Sequence, residues 1–146
     1  MKQDENSIQK LVADFVRSEK LEIAAHARDD VTTANRHAGK AFATRRTLAE
    51  STLGRQALEE LMAHEIPEIR LGAAISVMTW DSEAAIPVLG QLVATWMPSD
   101  PQKGHVAVST DAKLALYDHF GVRDFNPNKL IAPLHKYGIH LEREPE

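Results

Sequence analysis

Four side chains near the start of the chain have the types and spacing of a metal site. They are Glu22, His26, Asp30 and His37, at intervals of four, four and seven residues. On one continuous helix these intervals would bring carboxylates and imidazoles to one side, a donor set suited to iron, manganese or zinc in a helical bundle. Asp29-Asp30 also reads as a helix cap, and a cap there separates the two histidines. The expected reading is a solvated polar face with no metal and no cofactor. A metal-dependent helical-bundle enzyme is the alternative. Further along, His64-Glu65 lacks the second histidine one turn later that a zinc-hydrolase helix requires, and Pro67 interrupts the segment. The 146 residues contain no cysteine, which excludes thiolate metal sites, disulfides and a cysteine nucleophile. With no Gly-x-Ser-x-Gly elbow and no Gly-rich phosphate loop, no catalytic residue is assigned.

Charge is distributed unevenly. Residues 31–56 set Arg36, Lys40, Arg45, Arg46 and Arg55 against Glu50 alone, whereas residues 57–100 set Arg70 against seven carboxylates. Within a net charge of −4, this pattern first implies that the two segments complement each other inside the molecule. A sharper implication is a basic partner that meets the acidic segment. Nucleic-acid binding through 31–56 is a further alternative and the less expected one. Phe42 is the only aromatic there, whereas single-strand binders use several stacking platforms.

Helices must position all of these groups. Hydrophobic residues make up 43% of the chain, charged residues 26% and aromatics only 5%, a balance that suits a folded all-α domain. A chain of this size buries roughly two-thirds of its unfolded surface and needs no metal to fold. Ser7 is placed as the cap of a first helix carrying Ile8, Leu11, Val12, Phe15 and Val16. Asp29 and Asp30 open a second helix from Val31 to about Ser51, with Ala34, Ala38, Phe42 and Leu48 on its sparse apolar side. Gly54 marks a break before a short helix with Ala57, Leu58, Leu61 and Met62 inward. Pro67 opens the most apolar helix, which leaves only Glu68, Gly72, Ser76 and Thr79 on a narrow outer strip. Asp81 or Ser82 caps the next helix, which contains Pro87. A loop at 97–104 precedes a helix over 105–119 that stops at Gly121, and a short amphipathic piece covers 126–138. No stretch alternates long enough for a strand.

The helix pairs 55–63 with 67–79 and 83–96 with 105–119 repeat at about 30 residues, a solenoid period. Ile66-Pro67-Glu68-Ile69-Arg70-Leu71-Gly72-Ala73-Ala74, Asp81 and Ala85-Ile86-Pro87-Val88-Leu89 carry a resemblance to HEAT repeats of the short, lyase-associated type. Residues 55–120 are most similar to a small bacterial HEAT-like family that includes candidate immunity proteins. The resemblance implies a short α-α superhelix of about two repeats, with extra N-terminal helices at 1–52, helix pairs at 54–121 and a docked tail at 122–146, in one domain. For Arg70 it implies a structural role, bridging to a carboxylate such as Asp81 or Glu65. Gly72 departs from the pattern, since glycine in mid-helix costs about 1 kcal/mol relative to alanine.

The expected function is non-catalytic protein binding, most concretely by an immunity-type protein that blocks a toxin. The expected surface is Glu68, Gly72, Ser76, Thr79, Asp81 and Glu83, facing a basic toxin domain, with the two small residues leaving room for another backbone. The polar start Met1-Lys2-Gln3-Asp4-Glu5-Asn6 lacks a signal peptide's apolar stretch, so a cytoplasmic location away from membranes is expected. Oligomeric state is left open.

Overall fold

A computed structural model describes residues 4–95 and 106–145. Trp96, the 97–104 loop and His105 lie outside the described residues. Among the described residues the chain forms α-helices and one 3-10 turn, with no strand. It divides into two compact units, residues 1–76 and 77–146.

In the first unit, α1 (Glu5–Ala27) is capped by Asp4, whose carboxylate accepts the Ser7 N–H at 2.8 Å. The cap expected at Ser7 is therefore displaced to Asp4. A carboxylate satisfies an orphan N–H as well as a hydroxyl does and also complements the positive helix end. After Arg28, Asp29 turns the chain in the left-handed region at φ 58°. Asp30 then caps α2 (Val31–Leu48), accepting from the Thr33 N–H at 3.1 Å.

The next helix, α3 (Thr52–Leu61), is capped by Ser51. The break expected at Gly54 thus falls before that residue, which sits in the first turn of α3. A Cβ at Gly54 would lie 1.9 Å from the Leu48 carbonyl oxygen, so glycine is there to admit close backbone approach. His64 Nδ1 accepts the Ile66 N–H at 3.1 Å, and Pro67 begins α4 (Pro67–Val77). The α4 residues Ile69, Ala73, Ala74 and Val77 are completely buried, as the helix's apolar composition requires.

The inner stripe of α2 differs from the expected one. Ala34, Ala41 and Leu48 are buried, and Phe42 is 53% exposed. The positions Ala34, Ala38, Ala41, Arg45 and Leu48 follow alternating steps of four and three, which keep one face of a helix better than a stripe through Phe42 does.

In the second unit, α5 (Ser82–Thr95) runs through Pro87, and α6 (Val106–Phe120) follows. A 3-10 turn, Pro127–Leu130, leads into α7 (Ile131–His135). Ile86, Leu89, Val93, Leu116, Leu130 and Leu134 are fully buried. Gly121 ends α6 at φ 69°, with the Val122 N–H bonded to the Tyr117 carbonyl at 2.9 Å, the expected left-handed stop. The tail is tied down. Ile139 is buried, and Asn128 bonds both main-chain groups of Glu144 at 3.0 and 2.7 Å.

Gly54→Ala tests the close approach at the start of α3. Alanine improves intrinsic helix propensity by about 1 kcal/mol, yet the clash with the main-chain carbonyl of Leu48 at the end of α2 should leave a net loss of roughly 1–3 kcal/mol. Denaturant unfolding at neutral pH reads the difference, and a variant as stable as the parent contradicts the packing.

Candidate functional site

The strip expected to face outward along α4 is covered over most of its length. Gly72 is buried, and Glu68 and Ser76 are half-buried. The residue above them is Arg45 of α2. Its Nη1 donates to the Gly72 carbonyl at 2.8 Å and to Ser76 Oγ at 3.0 Å. A Cβ on Gly72 would stand 3.1 Å from Phe15 Cζ and 3.3 Å from Arg45 Cδ. Gly72 therefore makes room for a neighbour of the same chain, and the smooth docking strip expected at Gly72 and Ser76 is corrected to an internal contact, beside a half-buried Glu68.

The remaining members of that set lie in the second unit. Thr79, Asp81 and Glu83 are exposed. Asp81 accepts from the Ala84 N–H at 3.3 Å in the first turn of α5, and Glu83 Oε1 accepts from the Tyr137 hydroxyl at 3.0 Å. Arg70 is half-buried, and its Nη1 donates to the His64 and Glu65 carbonyls at 2.8 and 3.1 Å. It reaches Glu65 through the main chain and braces the turn that leads into α4.

Arg45 belongs to a charged cluster inside the first unit. Burial lowers its pKa from the ordinary value, opposed by the charges of Glu19 and Glu22. Its Nε is buried without a hydrogen-bond partner. Glu19, only 8% exposed, is pushed up to about 7, first by burial and then by the Glu22 carboxylate; Arg45 opposes the rise and Glu68 adds to it. Two carboxylates of α1 thus share one guanidinium, and the more buried of them holds its proton into the neutral range.

The metal set is not assembled. Glu22 and His26 stand on α1, whereas Asp30 is committed as the α2 cap and His37 lies two turns into α2. The interruption at residues 28–30 turns the chain, so the i, i+4 register does not continue. Among the described residues, no group of three or more His, Asp or Glu could hold a metal ion.

The outward side of α2 remains. Between Val31 and Leu48 the helix carries four cations and no carboxylate. Arg36, Lys40 and Arg46 are exposed. Phe42 lies between Arg45 and Arg46, whose guanidinium carbons are 5.6 and 5.9 Å from its ring centroid, within the range of cation–π attraction. Val31 is 59% exposed on the same helix. An aromatic face held among cations is suited to an acidic protein surface with an apolar centre. Its sequence signal was Phe42 beside Arg45-Arg46, masked by the assignment of Phe42 to the core.

No helix among the described residues is long and apolar enough to cross a membrane. The chain matches no protein-family model, no curated protein and no solved structure.

The raised pKa of Glu19 has a definite sign. An unfolded glutamate titrates near 4.5 and the folded one near 7, so the folded state binds more protons between these values. This contribution to stability is complete below pH 4.5, falls as pH rises, and is lost above about 7. Glu19→Gln should remove a decline of about 3 kcal/mol. The variant should be more stable than the parent at pH 8 and should differ little at pH 4. Parallel stability–pH curves for the two proteins would contradict the buried carboxylate.

Proposed function

We propose that this chain is a non-catalytic protein-binding module, built as a short HEAT-like stack, whose docking surface is the outward face of α2 around Phe42. The observation that carries the reading is the half-exposed Phe42 ring set among guanidinium groups on a helix with no carboxylate of its own. Large exposed aromatics and arginines are the residue types that dominate binding energy at protein interfaces. Arg46, exposed beside the ring, would speed encounter with a negatively charged face and fix register, while the ring supplies the desolvated anchor.

The partner surface is therefore acidic, opposite in sign to the basic toxin domain expected from the acidic segment. The reversal follows from Gly72 and Ser76, which are occupied by Arg45. The HEAT-like part of the proposal rests on two helix pairs in succession, on Pro67 at the start of α4 and on complete burial of Ala73-Ala74. Its most concrete form, from the sequence resemblance, is an immunity-type protein acting in the cytoplasm on a toxin with an acidic face.

The test is co-expression with a toxin encoded beside this chain's gene, followed by affinity measurement on the purified pair. Rescue of growth is expected. Phe42→Ala combined with Arg46→Glu should weaken the complex about 30-fold or more while leaving the unfolding midpoint unchanged. Absence of rescue refutes the immunity form. Tight retention on DNA at low salt that survives the Phe42→Ala change would instead assign the cationic face to nucleic acid.

A further inference from the structure

A cleft of about 410 Å³ lies between α1 and α2, lined among others by Arg17, Ser18 and Leu21 from the first helix and His37 and Lys40 from the second. Its volume is within the range that holds a small organic ligand and exceeds what a lone inorganic anion needs. We propose that this cleft binds a small phosphate monoester, with the phosphate held by Arg17 and Lys40 beside His37 and the organic group resting on Leu21.

The cleft supplies donors of different geometry. Arg17 offers a planar fork and Lys40 a compact ammonium, a combination that can share the several oxygens of one phosphate. His37 Nδ1 is buried with no hydrogen-bond partner in the protein. Burial depresses the His37 imidazole, and Arg36, Lys40, Arg28 and Arg17 depress it further. Those four cations have few opposing charges nearby. Asp14 lines the cleft, and Asp30 pairs with Arg28 at 3.6 Å. A dianion among these groups relieves the mutual repulsion of the cations and favours protonation of His37. Leu21, 39% exposed, gives the cleft an apolar wall that a bare phosphate does not use.

This inference is independent of the protein-binding reading. At 100° per residue, His37, Lys40 and Thr44 follow one side of α2, and Phe42 and Arg46 follow the other, with the buried stripe through Ala41 and Leu48 between them. The two surfaces can fail separately.

The experiment titrates the intact chain with inorganic phosphate and with phenyl phosphate at an ionic strength fixed by sodium chloride. Calorimetry gives affinity, and NMR of the His37 imidazole reports occupancy and its pKa. Saturable binding is expected, tighter for phenyl phosphate, with the imidazole pKa raised. Arg17→Gln and Lys40→Gln should each weaken binding about tenfold or more without moving the unfolding midpoint. Leu21→Ser should erase the preference for phenyl phosphate and spare inorganic phosphate, while Phe42→Ala with Arg46→Glu should leave both unchanged. Three results overturn the proposal. They are imidazole shifts that follow ionic strength alone, affinities untouched by both glutamine variants, and a phosphoserine peptide that binds more tightly than phenyl phosphate.

Discussion

The first unit is organised by the placement of one half-buried guanidinium on the inner side of a helix. Arg45 occupies a position on the inner stripe of α2 where the spacing calls for an apolar side chain, and desolvating a cation there costs several kcal/mol before any partner is counted. The partners are specific. The Gly72 carbonyl accepts one hydrogen bond with its second lone pair, Ser76 Oγ accepts another, and Glu22 supplies opposite charge, joined by Glu19 once it ionises near pH 7. These contacts fix the rotation of α2 about its axis and its separation from α4. They also explain the mid-helix glycine. A Cβ there would stand 3.1 Å from Phe15 Cζ and 3.3 Å from Arg45 Cδ, so one of these side chains would have to give way by a few tenths of an ångström.

The same placement determines what the surface displays. Adjacent helical residues point 100° apart, so turning Arg45 inward turns Arg46 outward and leaves Phe42 at the edge between them. Glu19 is buried and Glu22 half-buried, while Arg36, Lys40 and Arg46 remain exposed. A chain of net negative charge thereby presents a cationic helix. Within α2 the cations divide by face. Of the four α2 cations, Arg45 is set against carboxylates of α1 within the first unit, and Arg36, Lys40 and Arg46 are exposed.

The sequence made the helices legible because their punctuation is chemical. Asp30, Pro67, Gly121 and Gly138 end or begin elements where capping and proline rules place them. The apolar repeats of α4 and α5 located the buried residues, including Ala73-Ala74. The site was harder to read. Glu19 interrupts the stripe of Ile8, Phe15 and Ala25, and Arg45 interrupts that of Ala34, Ala41 and Leu48. Within its own helix each charge breaks the apolar stripe without indicating a partner. Only the pairing of α1 with α2 reveals that two interruptions meet, and periodicity within one helix carries no information about that register. Phe42 was misplaced for a related reason. Hydrophobicity ranked it above Ala41, whereas space beside α1 admits only the smaller side chain.

Gly72 shows why a small residue is ambiguous as a marker of function. A smooth patch on a helix and a tight internal contact demand the same amino acid, and sequence alone does not separate them. What separates them is the neighbour that fills the space. Here a long cationic side chain reaches across from α2, and its hydrogen bond consumes the exposed carbonyl that an incoming backbone would have used. A docking surface must keep its polar groups available or satisfied by water until the partner arrives. By that criterion the small residues of α4 have been spent on folding. Phe42, with half its ring in water beside an exposed guanidinium, retains both apolar area and charge for another molecule.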